Sequence, residues 1–345
     1  MLQKIVTLTR AFVVTGIFVA LVACSKKETP APPPPPAPNP PVVAPPATAL
    51  LTLPSEWVKA TDLMKDFPAG IEVYRRTAAF NGKTMNAYCV AFDPKAVEFK
   101  PVFSATNKKP SDLYAQEPGV KYAVINGGFF GTNASYSLSM FNSTVQAISI
   151  RSLNRTYNGQ AKTFYPTRGA FGITAAGTPE VSWIYHVGSG NGTIYSYPQP
   201  SPNDIAQTPQ PQPSASFPTG GAVWNVSSAI GGSPVLIRNN TVNITDGEEL
   251  IDVNNTTSRA RSAIGHTANG IVVLLAVEGN NPSGGAGLNL QELADLMKSM
   301  DCTGALNLDG GGSTYLMVNG QATVKPSDAA GERPVITAII LKKKA

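Results

Sequence analysis

The segment ALNLDGGGST, residues 305–314, runs from an apolar strand into an acid, three glycines and two hydroxyl side chains. Three successive glycines cost chain entropy on folding, and a plain turn rarely needs them. They let a ligand approach backbone N–H groups, which favour an anion. Asp309, at the end of the strand, is then a candidate acid, base or metal ligand. A tight β-turn with an Asx hydrogen bond explains the segment equally well.

The rest of the chain follows the same pattern of short apolar runs separated by Gly, Asn and Pro, as in residues 86–92, 271–277 and 334–341. Such runs are typical of β-strands, and Asn-Gly pairs such as Asn319-Gly320 favour tight hairpins. Asn289, followed by Glu292 and an apolar period of three to four residues, predicts a capped helix over about 289–301. A second helix is expected over residues 55–65. Few helices and many short strands predict an α+β fold.

Other strand ends also carry polar side chains. An apolar strand runs into Asn126 and Gly127, of which the amide is the functional candidate. Arg261 enters an apolar strand, where an unpaired charge would be costly, so we expect either an acid partner or a bound phosphate or carboxylate. Glu278 ends another strand beside a flexible glycine. Weaker candidates, which solvated ion pairs would also explain, are Arg168, Glu332 and Arg333.

Composition and motif content argue against several classes of function. The 345-residue chain has 14% charged residues and a formal net charge of +5, and its one dense basic run is Lys342 to Lys344, so nucleic acid is not expected as a partner. The sequence contains no GxSxG, Walker or HExxH motif. Its two histidines, His186 and His266, lie far apart, which argues against a Ser-His triad or a His-based zinc site. An acid-based hydrolase remains.

The beginning of the chain predicts export. Residues 1–23 have a short basic start and an apolar run that is typical of a signal peptide, and Leu-Val-Ala precedes Cys24 as in a lipoprotein cleavage site. Residues 24–50 then form a proline-rich linker, with 11 prolines between positions 30 and 46. We therefore expect an exported protein held on a membrane by a lipid at Cys24, in the periplasm, on the outer membrane or on the cell surface.

A single domain is expected over residues 51–345, with a proline-rich surface loop at 197–220. In the oxidising compartment that export implies, Cys89 and Cys302 could form a disulfide. Two separate buried thiols explain these cysteines equally well.

Several motifs occur together in an order that resembles the phosphodiester glycosidase family. They are INGGFF (125–130), AIGGSPVLIRN (229–239), RSAIG (261–265), the strand-end acid Glu278, NLDGGGSTYLMVNG (307–320) and KPSDAAGERPVITAII (325–340). The resemblance covers roughly residues 70 to 345. This chain differs from the family in having Glu278-Gly279-Asn280 where Asp-Gly-Arg is common, and His266 where an apolar residue is usual.

The resemblance implies an α+β fold with mainly antiparallel strands and a central helix. It implies a hydrolase that cleaves a glycosyl phosphodiester or a related glycosidic bond in envelope or extracellular polysaccharide, with a carbohydrate or sugar phosphate as substrate. The alternative is a non-catalytic lipoprotein that binds glycans or assembles exopolysaccharide. The sequence leaves a divalent cation, Ca²⁺ or Mg²⁺, as a candidate cofactor.

The same resemblance places two carboxylates, Asp309 and Glu278, as catalytic candidates. One would activate water or attack the anomeric carbon, and the other would stabilise oxocarbenium character or bind a divalent ion. The residues expected to bind substrate are Asn126, Gly127, Arg261, Gly310, Gly311, Gly312 and Ser313.

Overall fold

The computed structural model describes residues 49–281 and 284–344. The signal peptide, Cys24 and nearly all of the linker predicted from the sequence therefore lie outside the described residues. Contacts group Ala47–Ala345 into one compact unit.

The predicted α+β class was wrong, because the protein is mostly β. Strands make up 41% and helices 8% of the described residues, and a curled sheet forms half a barrel. The strands are numbered in chain order. The largest sheet has eight strands, in the spatial order β1 (Val58–Lys59), β2 (Ile71–Arg76), β3 (Ala87–Phe92), β20 (Val272–Val277), β19 (Arg261–Thr267), β21 (Cys302–Asn307), β17 (Val235–Arg238) and β18 (Thr241–Val242).

Two further sheets complete the body of the fold. The seven-stranded sheet has the order β15 (Ala222–Val223), β14 (Thr193–Tyr197), β13 (Pro179–Val187), β12 (Arg168–Ile173), β16 (Ser228–Gly231), β8 (Ser139–Phe141) and β9 (Thr144–Ala147). The five-stranded sheet has the order β23 (Gln321–Ala322), β22 (Leu316–Val318), β5 (Lys121–Asn126), β24 (Val335–Lys343) and β4 (Val97–Lys108). Neighbouring strands are antiparallel, as in the pairs β19–β20, β12–β13 and β24–β5.

The remaining elements are small. Two hairpins stand apart from the sheets, β6 (Phe130–Gly131) with β7 (Ala134–Ser135) and β10 (Leu153–Tyr157) with β11 (Gln160–Phe164). The α-helices in the described residues are α1 (Pro110–Gln116) and α2 (Leu290–Ser299), and 3₁₀ turns form at Thr61–Leu63 and Gly311–Ser313. Within the same residues, no helix combines the length and the hydrophobicity needed to cross a bilayer.

The eight-stranded sheet is buried on both faces, which explains its continuous apolar strands. In β20, Val272 and Leu274 point into the core shared with the other sheets, whereas Val273 and Leu275 point into a second core on the opposite face. Side chains alternate between the two faces of a strand, so burial on both faces requires apolar residues at every position.

Helix α2 covers that second core. Asn289 and Glu292 form the predicted capping box, and the apolar stripe that includes Leu293 and Met297 packs on the sheet. The helix lies on the outer face of the sheet, so the expected central helix was wrong. The helix predicted over residues 55–65 was also wrong, since this segment holds the short strand β1 and a 3₁₀ turn.

Three further features noted in the sequence can be located in the structure. Asn319 and Gly320 both have positive φ angles, 49° and 77°, and they turn β22 into β23, as the Asn-Gly signal predicts. Cys89 and Cys302 are both free and buried, which agrees with two separate thiols. Residues 198–221 connect β14 to β15, which are neighbours in the seven-stranded sheet.

A buried carboxylate, Glu249, joins two of the sheets. It accepts hydrogen bonds from the backbone N–H groups of Gly169 on β12 and Val235 on β17, at 2.8 Å each. Trp183 Nε1 on β13 and the hydroxyls of Ser233 and Thr245 also donate to it. Burial raises the pKa of Glu249, and these donors oppose that shift. Because an ionised carboxylate can accept from all of them, Glu249 acts as a polar connection inside an otherwise apolar interface.

Glu249→Gln is expected to lower the free energy of unfolding by about 2–4 kcal/mol, because its amide NH₂ would face donors where the native residue accepts. Urea unfolding followed by circular dichroism measures this loss. The neighbouring Glu248→Gln is the matched control and is expected to change stability by less than about 0.5 kcal/mol. Equal stability of the two variants would contradict the proposed role of Glu249.

Candidate active site

A polar cavity of about 460 Å³ opens where β19 begins and the chain leaves β21. Antiparallel neighbours place the start of one strand beside the end of the next, so Arg261 and the glycine loop meet at one edge of the sheet. The side chains lining the cavity carry both signs of charge. Those used below are Arg259, Arg261, Arg333, Asp309, Asp328 and Asp252.

Asp309 lies in this cavity immediately after β21. Its carboxylate accepts the N–H of Gly310 at 2.9 Å and a hydrogen bond from Ser313. Burial raises the pKa of Asp309 to about 6, and the two hydrogen bonds and the charge of Arg333 only partly oppose this shift. An acid with this pKa changes protonation near neutral pH, as a general base or acid requires.

Different local constraints act at the three glycine positions of the loop. A Cβ on Gly310 would lie 2.8 Å from the carbonyl oxygen of Ala260, and Gly311 has a φ of +58°. A Cβ on Gly312 would lie 2.1 Å from both Asp328 and Arg333. Glycine is therefore favoured at 310 by the nearby backbone and at 311 by its positive φ, whereas at 312 a larger residue would require the Asp328 and Arg333 side chains to move.

The expected anion cradle is largely occupied by the protein itself. The N–H of Gly310 binds Asp309, that of Gly311 binds the carbonyl of Ala260, and that of Ser313 binds the carbonyl of Gly310. These N–H groups are therefore already used within the protein, whereas the cavity also contains arginine side chains as donors.

Asn126 and Gly127 hold the loop from the neighbouring sheet. Asn126 is 1% exposed, and its Nδ2 donates to the carbonyl of Asp309 at 2.7 Å, while its Oδ1 accepts from Ser262 Oγ at 2.7 Å and from the N–H of Tyr315 at 3.1 Å. The carbonyl of Gly127 accepts the N–H of Asp309 at 3.1 Å. Both residues therefore position Asp309, and the amide of Asn126 is fully used in doing so.

Arg261 is buried, and among the described residues it has no acid partner, which was one of the two alternatives expected from its position in an apolar strand. Its guanidinium donates to four backbone carbonyls, those of Leu288, Val253, Asn254 and Thr257, at 2.8 to 3.2 Å. Burial, together with the nearby charge of Arg259, lowers the pKa of Arg261 to about 10, so it stays protonated at neutral pH. It clamps the segment 253–257 and adds a positive charge to the cavity wall.

Two other arginines line the cavity with donors that are less fully used. Arg259 has a buried Nε without a partner among the described residues, and its Nη2 reaches Asn254 Oδ1 only at 3.3 Å. Arg333 forms a two-bond ion pair with Asp328, at 2.7 and 2.9 Å, and its Nη1 lies 3.4 Å from Ser313 Oγ. Sequence reasoning passed over Arg259, although it lies two residues before Arg261, and rated Arg333 as a weak candidate.

Glu278 does not line this cavity among the described residues. It is 2% exposed and accepts from Asn86 Nδ2 at 2.6 Å, the N–H of Lys325 at 3.0 Å, the N–H of Gly285 at 3.3 Å and Asn281 Nδ2. Burial alone would raise the pKa of Glu278, but these hydrogen bonds outweigh it and lower that pKa. The geometry is that of a brace between loops, and a catalytic role for Glu278 stays a prediction.

A divalent cation stays a candidate cofactor, as in the sequence analysis. Over residues 49–281 and 284–344, no three His, Cys, Asp or Glu side chains are grouped as a metal site would require. Ca²⁺ or Mg²⁺ is therefore carried into the activity test below as a variable.

Comparison with known proteins identifies relatives. The family model described as phosphodiester glycosidase matches residues 120–342. The N-acetylglucosamine-1-phosphodiester alpha-N-acetylglucosaminidase of Bos taurus is 37% identical over 103 residues, which cover 27% of this chain and 19% of that protein. Its Homo sapiens counterpart is 36% identical over 103 residues, covering 27% and 20%. The match thus spans about one fifth of these curated relatives.

Solved structures agree on the fold. The catalytic domain of the zebrafish N-acetylglucosamine-1-phosphodiester alpha-N-acetylglucosaminidase, auto-inhibited by its pro-peptide, superposes with a TM-score of 0.52 at 15% identity, covering 86% of this chain and 97% of that one. A hypothetical protein from Synechocystis superposes with a TM-score of 0.53 at 17% identity, covering 81% and 63%.

The two neighbouring arginines should differ in their effect on stability. Arg261→Met leaves buried carbonyls without donors, so it is expected to lower the free energy of unfolding by about 2–3 kcal/mol. Arg259→Met removes one long hydrogen bond and is expected to cost less than about 1 kcal/mol. Urea unfolding of both variants measures the difference, and equal losses would show that Arg261 is not the clamp described here.

Proposed function

Because the chain belongs to the phosphodiester glycosidase family, we propose that it hydrolyses a glycosyl phosphodiester, with Asp309 as the general base. The observation that carries this proposal is the placement of Asp309, with its raised pKa, in a cavity that also contains Arg259 and Arg333. A carboxylate faces the anomeric carbon in such a reaction, and guanidinium groups suit the phosphate.

The reaction breaks the bond between the anomeric carbon and the phosphate oxygen. Ionised Asp309 takes a proton from water as the water oxygen bonds to the anomeric carbon, and the electron pair of the broken bond stays on the phosphate. The products are a free sugar and a phosphate monoester. This leaving group is already stable as an anion, so charge stabilisation matters more than a proton donor.

The arginines supply that charge stabilisation in the proposal. Arg259 has an unused donor, and Arg333 is paired with Asp328, a carboxylate that a bound phosphate would replace as partner. A guanidinium binds either group through two parallel hydrogen bonds. Arg261 contributes its field from the cavity wall while holding the segment that carries Asn254.

The substrate that we propose is an N-acetylglucosaminyl phosphodiester, on the support of the named activity of the relatives. Binding of such a compound without turnover would instead favour the non-catalytic glycan-binding lipoprotein.

Turnover is expected to depend on the ionised form of Asp309. With the pKa of Asp309 raised to about 6, kcat/KM should fall below pH 6 and level off above it. The fall should approach about tenfold per pH unit, since only the ionised base is active. Asp309→Asn should lower kcat/KM by about 10³-fold and lose this pH dependence. The assay follows free sugar released from an α-N-acetylglucosaminyl phosphodiester by the full chain.

The controls separate chemistry from folding. The exposed Asp112→Asn should keep full activity, and Asp309→Asn should melt no lower than the native protein, because burial disfavours its charge. Each assay is run with EDTA, Ca²⁺ and Mg²⁺, which also tests for a metal. Full activity of Asp309→Asn would remove Asp309 from the mechanism. An absence of turnover under every metal condition would count against this substrate.

We also propose an exported, lipid-anchored protein that acts on envelope or extracellular polysaccharide. The support is the sequence of residues 1–23, the cysteine at position 24 and the proline-rich linker that follows.

Cys24→Ala is expected to move the protein from the membrane fraction to the soluble fraction of its cells, because lipid attachment needs the thiol. Fractionation and immunoblotting measure this, with Cys89→Ala as the control that keeps membrane attachment. Soluble native protein, or a membrane-bound Cys24→Ala variant, would refute the anchor.

A further inference from the structure

Asp328 places a negative charge beside an arginine that the proposed function assigns to phosphate. Its carboxylate oxygens accept from Arg333 Nε at 2.7 Å and from Arg333 Nη2 at 2.9 Å. Both side chains line the cavity that contains Asp309, and a Cβ on Gly312 would come within 2.1 Å of each. The proposed function gives Arg333 a role but assigns none to the charge of Asp328.

The segment that carries Asp328 is held on both sides of it. Before it, the N–H of Lys325 donates to the buried carboxylate of Glu278 at 3.0 Å. After it, Glu332 accepts from the N–H and from the hydroxyl of Ser111 at 2.6 Å each. These contacts keep Asp328 at the cavity, including when a ligand takes its place beside the guanidinium.

The cavity is lined by as many acids as bases. They are Arg259, Arg261, Arg333, Asp252, Asp309 and Asp328. Among the described residues, Asp328 is the aspartate of this set that forms an ion pair with one of these arginines. A phosphate bound to Arg333 therefore lies a few ångströms from Asp328, because both contact the same guanidinium.

This carboxylate changes how the cavity ranks phosphates of different charge. Arginines alone attract a dianion about twice as strongly as a monoanion, because the Coulomb energy scales with the charge. Asp328 cancels part of that attraction, whereas the cost of removing an anion from water rises with the square of its charge. The dianion is then left with the larger cost and with little extra attraction.

Phosphodiesters and phosphate monoesters differ in this charge. A phosphodiester has one ionisable oxygen and carries one negative charge. A phosphate monoester loses its second proton at about pH 6, so it is close to a dianion above neutral pH.

We propose that Asp328 is a specificity-determining residue, which makes the cavity accept a singly charged phosphodiester and disfavour a doubly charged phosphate monoester. This rests on the proposed function. The substrate is the favoured species, and the phosphate monoester that hydrolysis releases is the disfavoured one. The same carboxylate therefore promotes departure of the product.

Two substrates for the full chain test this at pH 8. One is α-N-acetylglucosamine 1-phosphate, a dianion, and the other is its methyl diester, a monoanion. Asp328→Asn keeps the size of the side chain and an oxygen that accepts from Arg333, but it removes the charge. The ratio of kcat/KM for the diester over the monoester should fall about tenfold in this variant, a moderate effect because the Asp328 side chain is 35% exposed.

Three further variants serve as comparisons. Asp328→Ser is a second neutral variant and should lower the ratio in the same direction, whereas Asp328→Glu retains the charge and should keep most of the ratio. Asp301→Asn is the matched control, since Asp301 is exposed and precedes β21 at the end away from the cavity. It should leave the ratio unchanged.

The outcomes separate the role of Asp328 from the catalytic proposal. If the ratio is unchanged in an Asp328→Asn variant that melts like the native protein, the role of Asp328 is overturned and the catalytic proposal stands. If the native chain hydrolyses neither substrate, the catalytic proposal fails, and titration calorimetry with methyl phosphate and dimethyl phosphate decides on Asp328. A shift of the Kd ratio towards methyl phosphate in Asp328→Asn would support the role. An unshifted ratio, or no binding of methyl phosphate to either protein, would overturn it.

Discussion

The buried side-chain amide of Asn126 holds the candidate site together. One amide reaches Ser262 on β19, the backbone N–H of Tyr315 and the carbonyl of Asp309. These groups belong to the eight-stranded sheet and to the loop between β21 and β22, while Asn126 itself ends β5 in the five-stranded sheet. Since all these partners are satisfied within the protein, the position of Asp309 is set before any substrate arrives, as efficient catalysis requires.

Three buried or partly buried acids show how hydrogen bonding divides structural from chemical roles. Glu249 and Glu278 each accept from at least four donors, so their lone pairs are used; these bonds lower the pKa of Glu278 but only partly oppose the rise that burial causes in the pKa of Glu249. Asp309 has two such bonds in a similarly desolvated place, and its pKa is raised to about 6. A carboxylate with spare lone pairs and a pKa near neutrality can accept a proton from water, whereas a saturated one cannot without breaking its contacts.

Local signals predicted local structure well. The capping box at Asn289 and the Asn319-Gly320 turn depend on neighbouring residues alone, and both are present. Strand β4 contains Pro101, which lacks the N–H that a central strand would need. The proline is tolerated because β4 is the edge of its sheet, which is a property of the tertiary fold. The fold class was wrong because helices form only 8% of the described residues, and the expected central helix was wrong because α2 packs on the outer face of the sheet.

For the candidate site, the motifs pointed to strand ends that the structure brings together around one cavity, with Glu278 outside it among the described residues. Sequence reasoning assigned anion binding to the loop N–H groups and to Arg261, yet the loop uses several of those N–H groups itself and Arg261 spends its donors on carbonyls. Arg259 and Arg333 have donors to offer instead. Whether a guanidinium keeps a free donor depends on which backbone carbonyls lie within hydrogen-bonding distance of it. Those carbonyls are placed by loops such as 253–257, whose path no short motif encodes. The cavity is lined by three arginines and three aspartates, so which donors are already used matters more for what it can bind than its net charge does.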